Sequence, residues 1–442
     1  MEMKQELIDN ALRNLSISEL NEMQRYVLGV YEESEDVILL SPTGSGKTLA
    51  FLLPLLSFLD PAKESVQALV LAPSRELAMQ IEDVFKGMQT GLRVGSCYGG
   101  HSMYYEERML ENPPALLVGT PGRIKDHIER KSLKIDSIRT LVLDEFDKSL
   151  EFGFEDEMSF IIASLERSLK KKVLLSATDM PELPEFTDLN HPSVLNFLSE
   201  RDTLNGLKFY KVLSPVKDKL EVLLRLVCHI GNEPTLVFCN YRDSVERVCN
   251  FLQTNGVVCK MFHGGMEQQD REKSLCSFRN GSCYILVSTD LAARGLDIPE
   301  VKNVVHYHLP LNEEAYTHRN GRTARMYAEG SSFMILNSEE SLPEYVDQNC
   351  DAMELPENQT LPGLPDWVTL YVGKGKQDKL SKGDIAGFLM KKGRLNKAEL
   401  GKIELKEHFA FAAVKRDRAN NLLQLVANEK IKGIKTIFEL AK

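Results

Sequence analysis

Short apolar runs recur along the chain, each pair separated by enough sequence for an amphipathic helix. In the first half they are Val37-Ile38-Leu39-Leu40, Ala68-Leu69-Val70-Leu71, Ala115-Leu116-Leu117-Val118, Thr140-Leu141-Val142-Leu143 and Lys172-Val173-Leu174-Leu175. Such short, nearly unbroken runs predict strands buried on both faces, and their alternation with helical stretches predicts a parallel sheet. A polar passage at residues 200–206 interrupts the pattern. It restarts with Thr235-Leu236-Val237-Phe238, Tyr284-Ile285-Leu286-Val287-Ser288, Asn303-Val304-Val305-His306 and Ser332-Phe333-Met334-Ile335-Leu336. The expectation is two doubly wound α/β domains in tandem. In such sheets ligands bind beyond the carboxyl ends of strands, so polar clusters that directly follow the runs are where chemistry is expected.

The pattern changes after a proline-rich connection at residues 355–365, which cannot continue a helix. A strand at 367–372, a helix at 381–392, strands at 401–406 and 409–414, a helix at 416–427 and a strand at 434–440 give the order βαββαβ. That is the split arrangement of many RNA-binding modules. This tail is basic, with 17 Lys+Arg against 9 Asp+Glu from residue 366 onward, whereas the remainder holds 37 against 55. A positive appendage on an acidic body suits a nucleic-acid-binding tail, although surface solvation alone also produces such asymmetry.

Length and composition narrow the class. A chain of 442 residues exceeds one ordinary core and fits about three domains. The longest nearly continuous apolar run, at 49–59, is interrupted by Pro54 and falls short of a bilayer, and Met1-Glu2-Met3-Lys4-Gln5-Glu6 has no signal-peptide character. A cytoplasmic protein with no membrane partner is therefore expected. The eight cysteines form no C-x-x-C pair, and several sit in apolar runs, so they read as reduced core thiols rather than a disulfide frame or zinc site.

Chemistry begins at Ser41-Pro42-Thr43-Gly44-Ser45-Gly46-Lys47-Thr48, between an apolar run and the helix-like Leu49-Ala50-Phe51-Leu52-Leu53. Gly44 and Gly46 let backbone N–H groups close around phosphate oxygens, the following helix points its positive end at them, Lys47 adds charge, and Thr48 offers a hydroxyl to Mg²⁺. The usual spacing places a glycine where this chain has Ser41. Directly after Leu141-Val142-Leu143 stands Asp144-Glu145-Phe146-Asp147. One carboxylate there can complete a Mg²⁺ shell and its neighbour can orient and deprotonate a water, which assigns Asp144 to the metal and Glu145 to the water. The second half holds His318-Arg319-Asn320-Gly321-Arg322-Thr323-Ala324-Arg325, whose three arginines read as reagents that neutralise a transferring phosphoryl group. An arginine of that kind is worth about 10³ to 10⁵ in rate.

With Ser176-Ala177-Thr178, these clusters resemble the DEAD-box family of ATP-dependent RNA helicases. Further matching residues are Gln24, Pro73-Ser74-Arg75-Glu76-Leu77-Ala78, Gly99-Gly100, Thr120-Pro121-Gly122-Arg123, Gln268 with Arg271, and Ser288-Thr289-Asp290-Leu291-Ala292-Ala293-Arg294-Gly295-Leu296-Asp297. The resemblance implies an α/β fold of two tandem RecA-like doubly wound parallel-sheet domains, at 1–203 and 204–345, then a linker at 346–365. A small RRM-like α+β domain would occupy 366–442. It implies ATP and Mg²⁺ as cofactors, with Gln24 reading adenine, Thr43, Gly44, Ser45, Gly46, Lys47 and Thr48 on the phosphates, Asp297 on the ribose, and Gly295 also at the ATP site. Lys47, Asp144, Glu145, Arg322 and Arg325 would be catalytic, with Thr48 and Asp144 at the metal. Ser176, Thr178, Asp147 and His318 would couple nucleotide state to domain closure. Pro73, Arg75, Gly100, Thr120, Gly122, Arg123, Gln268, Arg271 and Thr289 would line the RNA path, mostly on phosphates and sugars, which makes binding insensitive to sequence.

The tail, through Thr369-Leu370-Tyr371-Val372-Gly373-Lys374-Gly375-Lys376 and Glu407-His408-Phe409-Ala410-Phe411-Ala412-Ala413-Val414, resembles the C-terminal RNA-binding module of DbpA-type helicases. The resemblance implies a ribosomal RNA hairpin as partner, with Tyr371, Phe409 and Phe411 stacking bases from the sheet face. Four departures stand out. Phe146 replaces the alanine of the family motif, Leu7 lies near the place of an aromatic that would stack on adenine, and Asn320 and Ala324 stand where isoleucine and glycine are more usual. The expected function is a monomeric RNA-dependent ATPase that separates short duplexes, serving ribosome assembly. Two other readings compete: a DNA helicase of the same superfamily, disfavoured by Gln24 and the tail, and a non-catalytic RNA-binding scaffold, disfavoured by intact Lys47, Glu145, Arg322 and Arg325.

Overall fold

The structure is a computed structural model that describes residues 2–42, 44–100, 102–180, 182–198, 207–290, 301–323, 330–346, 350–356 and 360–441. Its first seven strands are β1 Val37–Leu40, β2 Ala68–Leu71, β3 Val94–Cys97, β4 Leu116–Gly119, β5 Thr140–Leu143, β6 Lys171–Ser176 and β7 Ser193–Asn196. They form one sheet in the order β3-β4-β2-β5-β6-β1-β7, with every pair parallel. The unbroken apolar runs are explained by the two cores. Val37 and Leu39 enter one with the helix Lys47–Leu56, while Ile38 and Leu40 enter the other with Phe146 and Ile161. The two strands that the apolar pattern does not announce are the edges, β3 with Gly95 and Ser96 inside it and the half-exposed β7. An edge strand needs only one apolar flank, so its sequence carries less signal.

A second all-parallel sheet follows: β8 Leu207–Leu213, β9 Thr235–Cys239, β10 Cys259–Phe262, β11 Ile285–Thr289, β12 Asn303–His306, β13 Gly330–Leu336 and β14 Asp351–Ala352, in the order β10-β11-β9-β12-β13-β8-β14. The third sheet is antiparallel, built from β15 Trp367–Val372, β16 Leu400–Leu405, β17 Ala410–Lys415 and, after a small hairpin of β18 Lys430–Ile431 and β19 Ile434–Lys435, β20 Phe438–Leu440. The single strand expected at 434–440 is thus divided. Lys432 and Gly433 turn the hairpin with φ of 50° and 80°, the left-handed pair that a two-residue turn requires. No described helix is long and apolar enough to cross a membrane, and none of the eight cysteines is in a disulfide, seven of them being buried.

One face of the third sheet, with Leu370, Val372, Ala412 and Val414, packs on the helices Lys382–Lys391 and Arg416–Val426. Its opposite face meets the helix Gln268–Arg279 of the preceding domain. Asn280 Nδ2 donates to Thr369 Oγ1 at 3.0 Å, the hydroxyls of Ser277 and Ser282 lie 3.2 and 3.0 Å from the same oxygen, and Lys406 pairs with Glu272 at 3.7 Å.

Candidate nucleotide and RNA site

The phosphate loop hangs between β1 and the helix Lys47–Leu56. Gly44 and Gly46 both hold positive φ, at 83° and 91°, a backbone state that side chains rarely adopt. Lys47 Nζ donates back to the loop carbonyls of Ser41 (2.5 Å) and Pro42 (3.0 Å), so its ammonium is already directed at the loop interior. Ser41 Oγ donates to Ser45 Oγ at 2.8 Å, a contact glycine could not make, which gives the departure from the usual spacing a structural role. Gln24 lies on the helix Glu22–Val30, tied to Asn21 by a reciprocal cap, and its Nε2 donates to Gly46 O at 3.2 Å. A Cβ on Gly46 would come within 2.5 Å of that same Nε2, so the glycine and the glutamine fit one another. Asn21, which sequence reasoning passed over, also donates to Ser45 O at 2.9 Å. Leu7 packs partly into the apolar core. Thr43 lies outside the described residues.

Three acidic residues gather at the end of β5. Asp144 is buried, and its Oδ1 accepts from the Glu145 backbone N–H at 3.0 Å. Burial, then the neighbouring Glu145 charge, pushes the Asp144 carboxyl up to about 7, with Lys47 pulling the other way. Glu145 begins the helix Phe146–Glu151 with φ 46° and ψ 54°. The Phe146 ring is buried in the core beside Phe186, so the bulk that replaces alanine is taken up by apolar packing. Thr178 Oγ1 donates to Asp147 Oδ2 at 3.1 Å, and Ser176 Oγ donates to Thr178 O at 2.7 Å, which joins three of the coupling residues in one network.

The expected RNA-lining residues of the first sheet also converge. Pro73 is buried and Arg75 opens the helix Arg75–Gly87, capped by Ser74. Gly100 has φ 88°, and a Cβ there would meet Arg75 Nη1 at 2.5 Å. Thr120 stands at the N-cap position of the helix Pro121–Glu129 without a side-chain capping bond, Gly122 has open space about it, and Arg123 Nε lies 3.4 Å from the buried Glu106.

In the second parallel sheet, Thr289 ends β11, Gln268 starts its helix, and the Arg271 guanidinium lies 5.0 Å from the Phe262 ring centre. His318, on the helix Glu313–Asn320, lies 3.4 Å from Glu314. The three arginines do not share one role. Arg319 is only 1% exposed and saturated by partners: both Asp290 oxygens (2.6 and 2.7 Å), Asn240 Oδ1 (2.7 Å) and His308 O (2.7 Å), with Phe238 beneath it. It is a brace, and reading all three as reagents is corrected for this one, because a guanidinium so engaged has no fork to offer a phosphate. Asn320 is buried too, accepting from Ser332 Oγ at 2.8 Å, and burial holds His306 beside it down to about 3. Arg322 is buried near its backbone contact with Val301. Arg325, Ala324, Gly295 and Asp297 lie outside the described residues.

The aromatic trio of the third sheet is also divided. Tyr371, Phe409 and Phe411 do cluster, with ring centres 5.3 to 6.0 Å apart. Phe411, however, is 0% exposed on the face that meets the helix Gln268–Arg279, so it cannot stack a base as expected. Tyr371 and Phe409 are partly exposed.

Comparison with known proteins agrees with this arrangement. Residues 21–185 match the DEAD/DEAH box helicase family, 218–327 the helicase conserved C-terminal domain, and 369–440 the DbpA RNA binding domain. The chain is 32% identical to the ATP-dependent RNA helicase DbpA of Escherichia coli (strain K12), over 96% of both chains, and 28% identical to that of Bacillus subtilis (strain 168), over 96% of this chain and 95% of the other. Among solved structures, S. cerevisiae Dbp5 bound to RNA and ADP BeF3 aligns over 75% of this chain and 87% of its own, at 26% identity and a TM-score of 0.68. A phosphate loop, a strand-end acid cluster, a second parallel sheet with its arginine motif and a matching RNA-binding module, in one order along one chain, place this protein in the DEAD-box family of ATP-dependent RNA helicases, with the DbpA type of C-terminal domain.

Proposed function

We propose that ATP is hydrolysed by Lys47, Asp144 and Glu145 of the first sheet with Arg322 and Arg325 of the second, and that turnover is coupled to local separation of RNA duplexes. The observation that carries this assignment is the buried carboxylate pair at the end of β5, beside the phosphate loop. A carboxyl raised to about 7 by burial and by a like-charged neighbour is a site short of positive charge, which fits a divalent cation. Asp144 and the Thr48 hydroxyl would hold Mg²⁺, which when bound offsets charge on the phosphate oxygens. Glu145 orients and deprotonates the attacking water, Lys47 leaves its loop carbonyls for the phosphate, and the Ser176–Thr178–Asp147 network relays the state of the nucleotide.

Single-stranded RNA rests on Arg75, Gly100, Thr120, Gly122 and Arg123 of the first sheet and Gln268, Arg271 and Thr289 of the second, through phosphates and sugars. The basic C-terminal module brings a structured RNA, with a ribosomal RNA hairpin as the expected ligand and ribosome assembly in the cytoplasm as the setting, and the protein acts as a monomer. In the decisive experiment Glu145→Gln is expected to lower the RNA-stimulated ATPase by about 10² to 10⁴, the worth of a positioned general base, while ATP and RNA still bind together. Normal turnover in that variant would refute the assignment, and stronger stimulation by DNA than by RNA of equal sequence would favour the DNA helicase reading.

A further inference from the structure

Glu106 is a buried acid on the helix Met103–Glu111, whose neighbours Tyr104 and Tyr105 are exposed. Burying a carboxylate is costly unless its lone pairs are used, and here they are. Oε1 accepts from the Tyr98 backbone N–H at 3.1 Å; Oε2 lies 2.8 Å from His127 Nε2 and 3.4 Å from Arg123 Nε. His127 is fully buried, and its Nδ1 lies 2.7 Å from Ser132 Oγ, so with the proton on Nε2 it donates to the acid. The two oxygens therefore reach two separate segments. Tyr98 immediately precedes Gly99-Gly100, which lies against the Arg75 guanidinium. Arg123 and His127 stand four residues apart on one face of the helix Pro121–Glu129.

We propose that Glu106 is a positioning residue for RNA binding: its carboxylate clamps the Gly99-Gly100 loop to the helix Pro121–Glu129 and so fixes the backbone N–H groups and the Arg123 guanidinium that receive RNA phosphates. The inference rests on the proposed RNA path through Gly100 and Arg123. What matters is the span of two hydrogen-bonding atoms. A glutamine keeps the span to Tyr98 and His127, its oxygen accepting from Tyr98 and its nitrogen donating to His127 Nε2 in the other tautomer, and gives up only the longer contact with Arg123 at 3.4 Å. Ser132 Oγ then accepts from Nδ1–H and donates to the His127 carbonyl, which it already faces at 3.2 Å. Leucine fills similar volume and leaves the Tyr98 N–H without its acceptor. Aspartate keeps the charge but is one methylene too short to reach both segments.

The test measures ATPase activity of the full chain against the concentration of single-stranded RNA at saturating ATP. Glu106→Leu is expected to raise the RNA needed for half-maximal stimulation about tenfold, the worth of a lost charged hydrogen bond, with kcat and the KM for ATP within about twofold. Glu106→Gln, which loses only the Arg123 contact, raises the requirement about twofold, whereas Glu106→Asp, the variant to rely on should leucine prevent folding, raises it about threefold. Arg123→Ala raises it as well, and combining it with Glu106→Leu gives less than the product of the single effects, because the two act in one unit. An unchanged RNA requirement in Glu106→Leu or Glu106→Asp, with Arg123→Ala impaired, overturns the clamp and leaves the RNA path standing. An unaffected Arg123→Ala overturns both. Equal rises in the RNA requirement and the ATP KM, or a Glu106→Gln as impaired as the leucine variant, overturn the clamp in favour of a general structural role.

Discussion

Two clusters of buried charge sit near the carboxyl ends of strands, one in each parallel sheet, and they are built in opposite ways. Around Arg319 the signs alternate: a guanidinium meets a carboxylate, an amide oxygen and a carbonyl, and rests on an aromatic ring. Around Asp144 the signs repeat, with Glu145 and Asp147 both raising its carboxyl and Lys47 alone among the named influences supplying opposing charge. A cluster whose charges cancel internally is complete and holds the fold. A cluster of like charges is stabilised by something brought to it. Motif membership does not mark a brace, since Arg319 belongs to the same eight residues as Arg322, for which a role at the phosphate is proposed.

That contrast can be broken by substitution. The largest effect is expected at Arg322: its alanine variant should lose about 10³ to 10⁵ in kcat, the range for an arginine that meets a transferring phosphoryl group, with at most a small fall in the unfolding midpoint. Steady-state ATPase and thermal melting together check this, and a large fall in the midpoint would move Arg322 into the class of braces. Arg319→Ala should instead cost about 3–5 kcal/mol of stability, because Asp290 is left without its cation, and urea unfolding reads that directly. Arg319→Lys should not restore it, since a point charge cannot serve four acceptors in a fork. A stable Arg319→Ala that has lost turnover would erase the distinction. The smallest effect is expected where the third sheet meets its neighbour: Thr369→Val removes a buried hydroxyl with three polar neighbours and should cost about 1 kcal/mol, seen as faster hydrogen exchange in residues 367–372.

The apolar runs made β1, β2, β5 and β12 legible to the residue, because strands covered on both faces admit little else. β10 was not, since Lys260 stands inside it and breaks the run. The phosphate loop and the acid cluster were legible for a related reason: each is contiguous, so its chemistry can be read without knowing the fold. Glu106 and His127 were not, being 21 residues apart and ordinary by themselves; only packing makes a clamp of them. The exposure of Phe411 was misjudged similarly, since alternation along β17 places it opposite the helices of its own domain but cannot reveal that a different domain covers that face. Asn21 carried a signal that could have been used, as an asparagine three residues before a glutamine at a helix start is a capping pattern.

The left-handed backbone of Glu145 bears on how this enzyme can change over generations. That conformation costs a side-chain-bearing residue about 1–2 kcal/mol, and glycine at the same place would avoid it. Selection for heat resistance alone therefore favours Glu145→Gly, a variant expected to be sturdier and silent. Valine, isoleucine and threonine are closed off by their branched Cβ, and asparagine, the best tolerated alternative, carries no base. Any lineage that improves the stability of this domain in this way must find the relief at its other left-handed residues, Ser16, Gln89, Lys131, Asp188 and His191, because the role proposed for Glu145 in hydrolysis bars it there.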